Sequence, residues 1–134
     1  VTGADVLGFY YGVGKFLHNG VWKDHEFIPN PPIGYSAPDC RFRTLYFSIH
    51  FYNWYQMAPV QEREDYLYDL VLWGYNTVHG LIPVTNINEI GDEVYPDSIN
   101  RVRKLFTFAR EIGMKTSLCI VPNQGLLSAP HAYD

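Results

Sequence analysis

The stretch Arg43-Thr-Leu-Tyr-Phe-Ser-Ile-His50-Phe-Tyr-Asn-Trp54-Tyr55 changes character along its length, from a continuous apolar run to a cluster of rings and amides. Residues 44 to 49 carry Leu45, Tyr46, Phe47 and Ile49 with little alternation, which predicts a strand covered on both faces, as in a parallel sheet. His50, Tyr52, Asn53, Trp54 and Tyr55 then form a loop just past its carboxyl end. Rings cover the apolar face of a sugar, and amides and imidazole bond its hydroxyls, so this loop suits a polyhydroxylated ligand. An aromatic corner of the core is the structural alternative.

The strand is followed by two units built alike. Pro59 marks a helix start, Val60, Leu67, Leu70 and Val71 share an apolar face, and Gly74 ends it. Residues 75 to 84 read as a second strand, and an acidic loop with Glu89, Asp92 and Glu93 follows. Pro96 opens another helix in which Ile99, Val102, Leu105, Phe106, Ala109 and Ile112 recur at helical spacing up to Gly113. Residues 114 to 122 form a third strand, ending in Asn123, Gln124 and Gly125. The period of about 40 residues suits a βα unit with a long loop. Strand, helix, strand, helix, strand predicts an α/β fold with a parallel sheet.

Upstream, Val6, Tyr10, Val13 and Leu17 predict a helix over residues 4 to 18, with Gly20 as its stop. Gly8, Gly12 and Gly14 inside it each cost about 1 kcal/mol of helix propensity relative to Ala, which implies close approach to a sheet. Gly12-Val-Gly14-Lys15 is not a phosphate loop, because Phe9 and Phe16 stand where a Walker loop has Gly and Ser or Thr. It is not a dinucleotide fingerprint either, since Leu17 replaces the third glycine. Residues 29 to 38 hold four prolines and form a linker, preceded by a short strand around Phe27 and Ile28. The chain therefore divides into residues 1–38 and residues 39–134.

Composition narrows the function. Aromatic residues make up 16% of the 134 positions, a surplus that predicts rings lining a groove or interface. The net charge is −4 with no basic face, which argues against a nucleic-acid partner, and no apolar run is long enough to span a bilayer. Cys40 and Cys119 fit neither a metal spacing nor a redox pair and read as free thiols, Cys119 buried in a strand. No motif calls for a metal or other cofactor.

Residues 1 to 17, Val1-Thr-Gly-Ala-Asp-Val-Leu-Gly-Phe-Tyr-Tyr-Gly-Val-Gly-Lys-Phe-Leu, resemble the helix closing the small α+β domain of β-N-acetylhexosaminidase-like and α-glucuronidase-like glycoside hydrolases. The proline-bearing linker, an Arg at the first barrel strand and a first barrel helix ending in Trp73-Gly-Tyr-Asn76 are similar too. The resemblance implies the end of that small domain in residues 1–38 and, in residues 39–134, about three strands of an incomplete (β/α)8 TIM barrel. It implies a carbohydrate-active enzyme, a glycoside hydrolase fragment whose catalytic carboxylates stand on later strands, outside this chain. It also implies a carbohydrate substrate, an extracytoplasmic or secreted location and the remainder of the barrel as partner. His50 stands where the hexosaminidase-like enzymes carry a sugar-binding Arg, which leaves the particular sugar open. The candidate substrate-binding residues are His50, Asn53, Trp54, Asn123 and Gln124, whereas His79, early in the second strand, is assigned to packing. A non-catalytic carbohydrate-binding or interaction module using the same loop is the alternative.

Overall fold

A computed structural model describes residues 1–49, 53–81 and 94–119. They form a mixed α/β fold in the order α1 (Val6–Asn19), β1 (Val21–Lys23), β2 (Glu26–Ile28), β3 (Thr44–Phe47), α2 (Trp54–Met57), α3 (Val60–Leu72), β4 (Thr77–Leu81), α4 (Val94–Glu111) and β5 (Lys115–Cys119). Asp5 caps α1 by accepting from the Gly8 amide at 2.6 Å. The β1–β2 hairpin turns through Asp24 and His25, both at positive φ, as a two-residue turn between twisted strands requires.

The strands β3, β4 and β5 make a three-stranded parallel sheet in chain order. Thr44 pairs with Thr77, Tyr46 with His79 and Phe47 with Gly80, and on the other side Thr77 pairs with Lys115 and His79 with Ser117. Helices α3 and α4 lie side by side on one face, where Tyr68 meets Phe108 edge-on at 5.2 Å. The core sits between them and the sheet: Phe47, Ile49, Leu67, Val71, Val78, Val102, Leu105 and Ala109 are buried there. Gly80 points into this layer, since a Cβ on it would lie 3.1 Å from the Phe106 ring. By alternation along the strand, His79 and Leu81 point to the opposite face.

That opposite face carries no helix among the described residues. The expectation of a strand covered on both sides is therefore corrected for β3, where Phe47 is buried but Tyr46 is 43% exposed. Cys119 is likewise only partly buried, at the end of β5 on the helix-free side.

Asn76 ties the three amino-terminal strand ends together. Its Oδ1 accepts from the Arg43 amide and the Thr77 hydroxyl, both at 3.0 Å, and its Nδ2 donates to the Arg41 carbonyl at 2.8 Å. Its own carbonyl accepts from the Lys115 amide at 2.8 Å. Helices α3 and α4 both end in a glycine with positive φ, Gly74 and Gly113, which turns the chain into the next strand.

Helix α1 docks at this same end. Gly14 meets the last turn of α3, so closely that a Cβ would fall 1.9 Å from the Leu72 carbonyl oxygen. The close approach predicted for these glycines is thus to a helix end at Gly14, and at Gly8 and Gly12 to the first residues of the chain, rather than to a sheet. Tyr11 donates to the Tyr75 carbonyl at 3.3 Å, and the Arg43 guanidinium lies 5.0 Å from the Tyr11 ring centre while donating to the Gly74 and Cys40 carbonyls. Burial raises the Tyr11 hydroxyl above its ordinary pKa of 10.0, against the lowering effect of Arg43. His18 stacks on Trp73 with ring centres 3.8 Å apart, closing the seam.

Candidate functional site

At the carboxyl end of β3, Phe47 is buried and the chain turns through Ser48 and Ile49. Asn53 then caps α2: its Oδ1 accepts from the Gln56 amide at 3.2 Å and its Nδ2 donates to the Ser48 carbonyl at 2.6 Å. Both polar ends of this amide are spent on the loop itself, so Asn53 shapes the turn that presents Trp54. Trp54 is 42% exposed and stands edge-on against Tyr55 at 5.4 Å and Tyr66 at 5.3 Å. Those two tyrosines pack on Phe47 at 4.9 and 5.9 Å. Trp54 is thereby an exposed indole on a packed aromatic footing, and burial raises the Tyr66 hydroxyl above its ordinary pKa.

Of the other predicted site residues, His50, Asn123 and Gln124 lie outside the described residues, as do Glu89, Asp92 and Glu93. The structure therefore gives a geometry to Asn53 and Trp54 only.

The helix-free face adds residues that sequence reasoning missed. Tyr46, His79 and Ser117 are register partners and form one row across the three strands. His79 Nδ1 lies 2.9 Å from Ser117 Oγ, and the Tyr46 and His79 rings are 5.5 Å apart with planes tilted by 45°. His79, expected to pack, is half-buried, with one ring nitrogen at Ser117 and its ring against Tyr46. In the row nearer the amino ends Thr77 is buried against Asn76, while Thr44 and Lys115 are exposed and Lys115 reaches over the Phe42 ring. The next row toward the carboxyl ends holds Leu81 and Cys119.

Two further features lie in the helix layer. Arg63 on α3 is only 1% exposed, and among the described residues its Nε and Nη1 have no acceptor. Burial, then the neighbouring Arg101, lowers its pKa. Arg101 itself is satisfied by Asp97 at 3.1 Å and the Gln56 carbonyl at 3.0 Å. A shallow groove between α3 and α4, lined by Val60, Glu64, Lys104, Phe108 and Glu111, mixes both charge signs and does not reach the sheet.

Among the described residues, no group of three or more His, Cys, Asp or Glu is placed to hold a metal, and no helix is long and apolar enough to cross a membrane. The sequence matches no protein-family model and no curated protein.

Proposed function

We propose that this chain is the amino-terminal part of a (β/α)8-barrel glycoside hydrolase, with the sugar held at the carboxyl ends of its strands. The observation that carries this reading is the topology. Three parallel strands follow one another in chain order, and both connecting helices cover the same face. A barrel repeats this arrangement around its axis, and one half of a doubly wound sheet shares it over three strands, so the topology is compatible with the barrel that the sequence resemblance implies.

The stagger supports it as well. Counting from the helix-ending glycines Gly74 and Gly113, Thr77 corresponds to Thr116, yet Thr77 pairs with Lys115. Positions equivalent by this count are offset by one residue in passing from β4 to β5, while Thr44 and Thr77, which enter β3 and β4, pair directly; steps of one and zero are both compatible with a shear of eight spread over eight strands. The offset places Thr77 and Thr116 on opposite faces, as layers built from alternate strands require.

Active sites of such barrels lie at the carboxyl ends of the strands, the end that carries Trp54; His50, Asn123 and Gln124 lie outside the described residues and follow β3 and β5 in the sequence. The exposed indole supplies a platform for a sugar ring. Hydrolysis would proceed by a general acid and a carboxylate partner, both contributed from later strands of the complete barrel. The test is hydrolysis of aryl glycosides by the protein as its source produces it. Trp54→Ala and His50→Ala are each expected to reduce kcat/KM about tenfold or more, since one stacking or hydrogen-bonding contact of about 1.4 kcal/mol is tenfold in binding. Unchanged rates in both variants would remove this loop from the sugar pocket.

A further inference from the structure

We propose that Arg101 is a positioning residue for the Trp54 platform: from the neighbouring βα unit it ties α2 to α4 and so sets where the indole stands. The proposal rests on the reading above in taking Trp54 to meet a sugar.

Helix α2 has only the four residues Trp54–Met57, and a single helical turn is not stable by itself in water. Its pose is therefore set by what grips its ends. At the amino end Asn53 accepts from the Gln56 amide and donates to the Ser48 carbonyl, which fixes the turn to the end of β3. Inside the turn the Met57 and Ala58 amides donate to the Asn53 and Trp54 carbonyls. The Gln56 carbonyl is one of those that a helix end leaves open, and it accepts from Arg101 Nη1 at 3.0 Å, across 45 positions of sequence.

Arg101 is held ready for this contact. Asp97, one turn earlier on α4, accepts from its Nε at 3.1 Å and orients the planar guanidinium, which leaves Nη1 aimed at α2. The like charge of Arg63, buried on α3, repels it, and Asp97 and the Gln56 carbonyl supply the compensating negative ends. A bond from a charged donor is stronger than one between neutral groups, which suits a tie that must hold a single turn. Trp54 follows the turn that carries it. Its ring touches Tyr55 and Tyr66 edge-on, and the residue is 42% exposed, so these contacts guide the indole without enclosing it. The backbone of α2 then decides where its face points.

The test uses the protein as its source produces it, labelled with fluorotryptophan, the Trp54 fluorine signal being assigned by its loss in Trp54→Phe. With no sugar present, Arg101→Ala is expected to shift and broaden that signal, Arg101→Lys to restore part of the wild-type position, and Asp97→Ala to move it less but in the same direction. Lys104→Ala, exposed on the same helix, is the control and is expected to leave it unmoved. With an aryl glycoside, Arg101→Ala is expected to raise KM about three- to tenfold while kcat stays within about twofold, since one hydrogen bond is lost and no reacting group is touched. The Trp54→Ala, Arg101→Ala double variant is then expected to be no weaker than Trp54→Ala alone. A Trp54 signal unmoved in folded Arg101→Ala refutes the proposal, whether or not the protein cleaves glycosides. A moved signal with unchanged KM also overturns Arg101 as a positioning residue. A moved signal in a protein that neither binds nor cleaves a sugar upholds the tie and refutes the sugar platform instead. Should Arg101→Ala fail to fold, Arg101→Met keeps the apolar stem without the donor and is read in the same way.

Discussion

Replacing Gly14 by Ala and replacing Gly12 by Ala are the same chemical change two residues apart on α1, and the structure gives them opposite signs. A Cβ on Gly14 falls 1.9 Å from the Leu72 oxygen, 2.6 Å from its carbonyl carbon and 2.9 Å from its Cα. All three are backbone atoms at the end of α3 and cannot turn aside. Helix α1 must withdraw by about 1.5 Å to restore ordinary contact, and overpacking of this kind costs about 1–3 kcal/mol. Withdrawal also loosens the Tyr11 bond to the Tyr75 carbonyl and the Arg43 contact with the Tyr11 ring, each worth about 1 kcal/mol. Helix propensity returns about 1 kcal/mol, leaving a net loss of about 2–4 kcal/mol. A Cβ on Gly12 meets Val1 Cγ1 at 2.4 Å, but Val1 is exposed at the first residue and its side chain can rotate away. There the propensity gain dominates, and Gly12→Ala is expected to stabilise by about 0.5–1 kcal/mol. Denaturant unfolding followed by far-UV circular dichroism and tryptophan fluorescence measures both. A Gly14→Ala variant as stable as the wild type would refute the docking of α1 on α3.

Other expectations follow from the same contacts. Asn76→Ala leaves the Arg43 amide and the Arg41 carbonyl without their partner and should cost about 2–4 kcal/mol in denaturant unfolding. Arg63→Met removes a buried guanidinium that lacks acceptors among the described residues while keeping an unbranched apolar stem, and should raise stability by about 1 kcal/mol or more. A loss of that size would show instead that the guanidinium is paired. Tyr11 and Tyr66 both have folded-state pKa values raised above 10.0, so the unfolded chain ionises first. Their stabilisation is complete below pH 10 and is lost as pH rises through the folded values. The Tyr11→Phe, Tyr66→Phe double variant should show a shallower alkaline loss of stability than the wild type, read by an unfolding midpoint series against pH.

Much of the fold is legible in the sequence because its helices carry strong punctuation. The apolar spacing from Val60 to Val71 and the stop at Gly74 mark α3 closely, and Ile99 to Ile112 with Gly113 mark α4, whose start lies at Val94, two residues before Pro96. Helix α1 is placed within two residues at its start and one at its end by the same logic. The face of β3 is not legible, since Leu45, Tyr46 and Phe47 are all ring-bearing or apolar and give no period to distinguish inside from outside. The ring cluster after β3 is legible in the sequence, and the structure gives its member Trp54 an exposed face.

The row through His79 is hidden for a geometric reason. Aligning the two βα units on their glycines sets Thr77 against Thr116 and so His79 against Leu118, whereas the sheet pairs His79 with Ser117. A one-residue step in a parallel pair exchanges the faces, and no local sequence signal records the stagger between strands. Ser117 gives no trace of it either, since it follows Lys115 and Thr116 in a strand whose first three residues are all polar. The amide of Asn53 was readable as a polar loop group, but its use as the α2 cap depends on the Ser48 carbonyl lying 2.6 Å away, a contact across the turn.

The most direct measurement is the intact mass of the protein as its source produces it, set against the 15.5 kDa of this chain. A barrel needs about 250 residues, so a product at least about twice as heavy is predicted. A product of 15.5 kDa that unfolds cooperatively would contradict the barrel hydrolase and leave a small sugar-binding module in its place.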